Sequence, residues 1–150
     1  MRLAAALALL LCLGVLTGCG TSRSPGAARS APPAPEVTVD EITRFARLDM
    51  PPHPSDVQTG GESGIDRLVL LRFSAPATEV RDFLTGSGFP APKKGAQGVQ
   101  SDLGTRLGWG LDELSGTEGA SDDTGDLVRQ VTIDRSTPDR PTVYVAAFTV

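Results

Sequence analysis

His53 is the only histidine of the chain, and it stands between two prolines, directly before Ser55 and Asp56. Serine, histidine and aspartate make up the catalytic triad of many hydrolases, in which the three side chains converge on one point. Neighbouring side chains of an extended, proline-rich segment point apart instead. The sequence therefore predicts that His53, Ser55 and Asp56 do not form a triad.

Four acidic residues, Glu118, Asp122, Asp123 and Asp126, crowd one glycine-rich part of the chain. Their carboxylate oxygens are suitable ligands for calcium, a hard cation available outside the cell. The spacing does not match the EF-hand loop, which needs oxygen ligands at alternating positions, a central glycine and a terminal glutamate. We expect a solvated acidic loop here and predict no metal site.

Motifs of other enzyme classes are missing from the sequence: there is no G-x-S-x-G elbow, H-E-x-x-H helix, P-loop, or G-x-G-x-x-G after a strand. Asp66 and Asp82 are carboxylates of the kind that glycosidases pair. Ion pairs with Arg67, Arg72 or Arg81 at the surface are the simpler expectation. We therefore predict no catalytic residue, no enzymatic activity and no cofactor.

Trp109 is the only tryptophan, and it lies in the segment Leu107-Gly108-Trp109-Gly110-Leu111. The flanking glycines allow an unusual backbone and the close approach of another group. Two interpretations stay open. Trp109 either closes one end of the hydrophobic core or contacts a ligand or partner.

The first 18 residues have the pattern of an export signal. Arg2 gives a positive start, and residues 3–16 are an almost unbroken run of Leu, Ala and Val. This run is shorter than the roughly 20 residues that span a bilayer comfortably. It is typical of the apolar centre of a signal peptide. The small residues Thr17 and Gly18 after it would also suit conventional cleavage, and Cys19 at the end of a transmembrane helix is the remaining alternative.

The residues Leu16-Thr17-Gly18-Cys19 resemble the lipobox of bacterial lipoproteins. The resemblance implies a covalent diacylglycerol on Cys19, cleavage between Gly18 and Cys19, and a mature chain anchored at the extracytoplasmic face of the cell membrane. Two acyl chains are enough for stable anchoring without a spanning helix. Because the second cysteine, Cys12, lies in the removed segment, no thiol is left for a disulfide or a metal site.

Residues 19–36, rich in Pro, Ala and Ser, are predicted to form a disordered tether, because they hold almost no large apolar side chains. The whole composition loosely resembles that of small lipoproteins of high-GC actinobacteria, with two lysines and three isoleucines. Many such proteins have no assigned activity. The net charge of −4 argues against nucleic acid as a partner.

Residues 37–150 are predicted to form a single domain. Thr38 and Glu41 have the spacing of a capping box, and the apolar residues that follow predict a helix to about Leu48. A short strand at 56–59 and an interior strand at 65–73 follow. A second helix begins at 74–76 and ends at Gly86 or Gly88.

The last part of the chain predicts a hairpin of 127–134 with 142–150, because apolar residues alternate along both segments. Between the second helix and this hairpin, residues 89–125 predict a long irregular region. The resulting order, β-β-α-β-β, indicates an α+β fold with an antiparallel sheet and helices on one face.

Three functions are compatible with this sequence. The favoured hypothesis is a lipid-anchored, non-enzymatic envelope protein that binds a protein, a cell-wall component or a small ligand through residues 89–125. The alternatives are a sensory or accessory subunit of a membrane complex, or an envelope hydrolase with a site that the sequence does not display.

Overall fold

An antiparallel sheet organises the described part of the chain. The computed structural model describes residues 37–62 and 66–150, which belong to the compact unit Pro33–Val150. Six strands occur there: β1 (Ser55–Glu62), β2 (Leu68–Ser74), β3 (Lys93–Lys94), β4 (Thr117–Asp123), β5 (Leu127–Asp134) and β6 (Thr142–Thr149). Their order across the sheet is β1-β2-β6-β5-β4-β3. All neighbours are antiparallel, so β1 and β3 form the two edges.

The helices are α1 (Val39–Ala46), α2 (Ala77–Gly86) and α3 (Ser101–Thr105), with a short 3₁₀ helix at Leu111–Glu113. The α+β class is confirmed. The predicted order of elements is wrong, because β3, α3 and β4 lie between α2 and the final hairpin. The signal peptide, the lipobox and the tether lie outside the described residues.

α1 begins with the predicted capping box. The Thr38 hydroxyl accepts the Glu41 backbone N–H at 3.3 Å, and the Glu41 carboxylate accepts the Thr38 backbone N–H at 3.0 Å. The bond from the Thr38 backbone is the main reason that the pKa of Glu41 lies below its usual value. Arg47, in the left-handed region at φ 53°, follows the last helical residue, Ala46, so the helix ends two residues before the predicted end near Leu48.

β2 is the interior strand that the sequence predicts, between β1 and β6. It begins at Leu68, whereas the prediction began at Ile65, a residue outside the described part. Val69, Leu71 and Phe73 lie on one side of the sheet, here called the first face. Leu68 and Leu70 lie on the opposite side, the second face. The predicted division of this strand between two apolar faces is confirmed.

The first face carries the larger core, and α1 and α2 cover it. Phe83 of α2 packs edge-on against Phe73 of β2, with ring centroids 5.1 Å apart, and also contacts Phe89 at 6.1 Å. Ile42 of α1 is fully buried in the same cluster. Ile42 and Phe83 each belong to the stripe of apolar residues at helical spacing that the sequence shows, so this periodicity predicts which side of each helix is buried.

A buried arginine ties the two helices of the first face to the sheet. Arg129 of β5 is 6% exposed and forms an ion pair with Asp122 of β4. Its guanidinium donates to the carbonyl of Ala46, the last residue of α1, at 3.1 Å. It also donates to the carbonyl of Ser87, the residue after α2, at 2.9 Å. It also stacks on Phe89 at 4.7 Å. Unpaired carbonyls at helix C-termini favour a cation, so one side chain satisfies both helix ends.

The second face is also covered, and the prediction of helices on one face only is therefore wrong. Residues 95–116, here called the cover segment, carry α3 and the 3₁₀ helix across it. Trp109, Leu111 and Val99 from this segment form a second core with the sheet residues Leu70, Tyr144 and Ala146. The predicted irregular region 89–125 thus contains short helices, a core and the strand β4.

Glycines and one threonine hold the cover segment against the sheet. A Cβ on Gly98 would overlap the backbone carbonyls of Ala120 and Val131, and a Cβ on Gly119 would overlap the backbone at Gly98. The hydroxyl of Thr132, which is fully buried, accepts the N–H groups of Gly98 and Val99 at 2.9 Å each. Close backbone crossing is possible only because both crossing residues lack a side chain.

Candidate functional site

His53 and Ser55 do not form a catalytic pair. The His53 ring nitrogen Nδ1 is hydrogen-bonded to a carboxylate oxygen of Glu79 at 2.8 Å. The Ser55 hydroxyl instead accepts from the Arg140 guanidinium at 2.9 Å and bonds to the Asp56 carboxylate at 3.1 Å. A triad needs the histidine between the serine and the carboxylate, and this arrangement differs from it, as the sequence predicts.

The four crowded carboxylates are not a solvated loop, because Glu118, Asp122 and Asp123 lie on β4. Each carboxylate has its own partner in the described chain: Glu118 pairs with Arg135 at 2.7 Å, Asp122 with Arg129, Asp126 with Arg47 at 3.9 Å, and Asp123 accepts the Gly125 N–H at 2.7 Å. Within residues 37–62 and 66–150, no group of three or more His, Cys, Asp or Glu residues could hold a metal ion. Asp82 forms the predicted surface ion pair with Arg81 at 3.1 Å.

Trp109 lies in the second core and is 7% exposed. Its ring packs against Tyr144, with centroids 5.3 Å apart. The indole N–H donates to the side-chain oxygen of Gln58 on β1 at 3.1 Å. These contacts favour the interpretation of Trp109 as a core residue. Little of the ring is exposed, so little of its surface could contact a ligand or partner.

Residues 106–109, in the middle of the cover segment, lie directly over the edge strand β1. Gln58, Gly60 and Glu62 share the second face, because they pair with Arg72, Leu70 and Leu68 of β2. Three consecutive contacts follow from this alternation: Trp109 with Gln58, Leu107 with Gly60, and Arg106 in an ion pair with Glu62. Residues 106–109 therefore run along β1 in the direction opposite to its sequence.

Gly60 makes room for Leu107, because a Cβ at Gly60 would lie 2.9 Å from the Leu107 side chain. Cavities open on both sides of this half-buried leucine. One of about 340 Å³ is lined by Val57, Gln58, Thr59 and Leu107. The other, of about 120 Å³, is lined by Gly61, Glu62, Leu68, Leu70, Arg106 and Leu107. We call this pair of cavities the edge groove.

A larger cavity of about 460 Å³ continues from the edge groove at Leu68. We call it the terminal groove, because it lies where β2 begins and β6 ends. Its apolar floor is formed by the half-buried side chains of Leu68, Leu103 and Phe148, and Arg67 and Gln100 stand on its rim. An apolar floor with a few polar groups around it is the usual composition of a ligand or partner site.

A further cavity of about 320 Å³ lies at the opposite edge of the sheet, beside β3 and β4, and is lined by Pro90, Lys93 and Ser121 among others. The Gln97 side chain at this cavity donates to the Leu111 carbonyl, so it holds the 3₁₀ helix. Small residues line most of the remaining wall. This cavity is therefore a gap beside the glycine crossing.

The sequence contains one signal for the grooves that our interpretation of it did not use. Gly60-Gly61 directly follows the predicted strand 56–59, and β1 in fact continues through both glycines to Glu62. Glycine within a strand often marks the close approach of another part of the chain. That signal does not name the approaching residue. Leu107 and Leu103 stand in a stretch with no convincing periodicity, so their position over β1 and β2 follows only from the fold.

No helix among the described residues is long and apolar enough to cross a membrane. Comparisons of the chain with protein-family models, with curated proteins and with solved structures found no match.

Proposed function

We propose that this protein is a lipid-anchored extracytoplasmic envelope protein that acts as a non-enzymatic binding module. The anchor rests on the resemblance of Leu16-Thr17-Gly18-Cys19 to a lipobox. The binding role rests on one structural observation, the terminal groove with its half-buried floor of Leu68, Leu103 and Phe148. Exposed apolar surface of this kind, bordered by polar residues, is typical of interaction sites.

The terminal groove supports binding better than catalysis. Among the described residues, its polar lining consists of Asp66, Arg67, Gln100 and Thr149 and includes no histidine, cysteine or serine. The backbone N–H of Arg67 is already used, since it donates to the Thr149 hydroxyl at 3.0 Å. The Arg67 guanidinium stacks on Phe45 at 4.7 Å. A site with these groups can hold an apolar ligand or side chain in a fixed orientation.

The binding role is tested by capture of partners from solubilised native membranes with the tagged full-length protein. Gln100→Arg places a bulky charge on the rim of the terminal groove without changing its floor, and we expect it to reduce the captured partner about tenfold. Thr85→Arg, at an exposed position of α2 on the other face, is the matched control. Equal capture by both variants and the wild type would contradict this site.

The anchor is tested separately. Cys19→Ala removes the thiol that would carry the diacylglycerol, so we expect complete loss of labelling by a fatty-acid probe. Ser24→Ala in the same segment is the control and should label normally. Undiminished labelling of the Cys19 variant would overturn the lipoprotein hypothesis.

The second candidate function is an accessory subunit of a membrane complex. The tether predicted for residues 19–36 favours it, because an anchor and a linker raise the local concentration of a domain near membrane proteins. Crosslinking in intact cells distinguishes this role. A constant membrane-protein partner would favour the subunit, whereas contact with cell-wall material would favour the binding module.

A further inference from the structure

The two edges of the sheet are built differently. β3 is two residues long, and both residues are exposed lysines. β1 is eight residues long and contains no lysine, arginine or proline. Short strands and lysines are the means by which proteins prevent another strand from adding to an edge. The β3 edge is therefore protected, and the β1 edge is open.

The open edge of β1 presents backbone groups in a regular pattern. In an antiparallel ladder, alternate residues direct their N–H and C=O groups away from the partner strand. From Gln58 to Glu62 the pairing with β2 is regular. Within residues 37–62 and 66–150, no backbone group of β1 bonds outside the sheet ladder. A stretch of unpaired donors and acceptors is complementary to an extended strand.

We propose that β1 binds an extended, basic peptide segment of a partner protein, which continues the sheet as an additional strand. This inference rests on the proposed binding function and names the kind of partner. Main-chain hydrogen bonds to Gln58–Glu62 would supply the affinity, and the edge groove would supply the selectivity for side chains.

The edge groove fits the alternation of an added strand. Every second side chain of such a strand points toward the second face, where Leu107 stands over Gly60. The cavity of about 340 Å³ beside Val57 and Thr59 lies on one side of Leu107, and the smaller one of about 120 Å³ lies on the other. An apolar side chain of the peptide would enter the larger cavity and contact Leu107.

The charges of β1 select a basic peptide. Asp56 and Glu62 are its only charged residues, one near each end. Glu62 already pairs with Arg106, so Asp56, whose carboxylate accepts the Ser55 hydroxyl, is the group that a lysine or arginine of the peptide would meet. A second copy of the chain is disfavoured, because antiparallel pairing of two β1 strands about Thr59 would place Asp56 opposite Glu62.

Asp56 also limits where the peptide can pair. Its backbone lies in the left-handed region at φ 52°, and the register of β1 with β2 shifts between Ser55 and Gln58. Such a bulge bends the strand and interrupts regular pairing. Strand addition is therefore confined to the five residues Gln58–Glu62, and Asp56 can act only through its charge.

The probe is a synthetic peptide, Lys-Thr-Val-Thr-Val-Thr-Lys, added to the full mature protein in detergent, with amide signals followed by NMR. We expect shifts and slowed hydrogen exchange in β1 and at Leu107, and none in β3. Val57→Lys adds a repelling charge at an exposed edge position and should weaken binding about tenfold or more. Replacing the two peptide lysines by glutamates should do the same.

Shifts confined to the terminal groove, or no shifts at all, would overturn strand addition at β1. Partner capture from native membranes separates this failure from that of the proposed function. If Gln100→Arg abolishes capture and Val57→Lys leaves it intact, the protein is a binding module that does not use β1. If the wild type captures nothing, both proposals fail. A wild-type dimer that Val57→Lys dissociates would show that the occupant is a second copy.

Discussion

The two faces of the sheet are covered by different means. On the first face, α1 and α2 bury a continuous core that includes Phe73, Phe83 and Ile42. On the second face, the cover segment contributes Val99, Trp109 and Leu111 to a cluster of six buried residues. Helices of eight and ten residues hold the first cover, whereas the second contains only a five-residue helix and a 3₁₀ turn.

This difference predicts a difference in local stability. Regions with few buried apolar contacts and little regular structure open at lower free energy than the core of the domain. The proposed binding surfaces, the edge groove and the terminal groove, both lie on the second face. The face that is built less regularly is thus the one with the surfaces for binding, while the first face supplies a stable base.

Arg129→Met gives the largest expected effect and acts on the first face. The methionine keeps an apolar stem but leaves Asp122 and the carbonyls of Ala46 and Ser87 without their donor. Loss of one partner of a buried ion pair costs about 3–5 kcal/mol. Denaturant unfolding should show this loss as a global change. Arg135→Met, in the more exposed pair with Glu118, is the control, and equal losses in both variants would contradict the assigned role.

Trp109→Ala acts on the second face. We expect the free energy of unfolding to fall by about 3 kcal/mol, at the lower end of what truncation of a buried tryptophan costs. The cover segment can open without the rest of the domain, and this opening avoids part of the cost of the cavity that the indole leaves. Hydrogen exchange should accelerate at Val99 and Leu111 more than at Leu71. Uniform acceleration across both faces would show that the sheet and its two covers unfold as one unit.

Thr132→Val tests the attachment of the cover segment. Valine has the shape of threonine but cannot accept the N–H groups of Gly98 and Val99. A buried donor left unpaired costs about 1–3 kcal/mol. Thr132→Ser keeps the acceptor and should recover most of the stability. If serine is destabilising and valine is not, packing of the methyl group holds the segment instead.

Protonation of Glu41 gives the smallest expected effect, and it acts on α1 of the first face. The bond from the Thr38 backbone holds the pKa of the Glu41 carboxyl below its usual value. The folded state therefore gains stability above the unfolded pKa, and it loses this gain as the pH falls through the folded pKa. NMR titration should place the Glu41 midpoint below the usual value of a glutamate carboxyl. In Glu41→Gln, fraying of α1 should depend less on pH in this range, because Asp40 is then the one carboxylate left in the first turn.

Residues that repeat with a regular period made the first face predictable. The capping box of α1, the stripe of α2 and the alternation in β2, β5 and β6 each follow from local spacing. β4 was missed because Thr117–Asp123 shows no alternation of apolar and polar residues. Its place in the sheet comes from pairing with β5 and from the ion pair between Asp122 and Arg129. Both contacts are with residues of β5, the strand that follows β4 after a turn.

The sequence alone determined the α+β class, the start of α1, the two apolar faces of β2 and the final hairpin, because short-range patterns define these features. Tertiary structure decided the remainder. A glycine crossing brings the cover segment onto the second face, which turns Trp109 into a core residue and places Leu107 over Gly60. Such contacts join residues about 50 positions apart, and no local pattern encodes which distant residue fills the space that a glycine leaves.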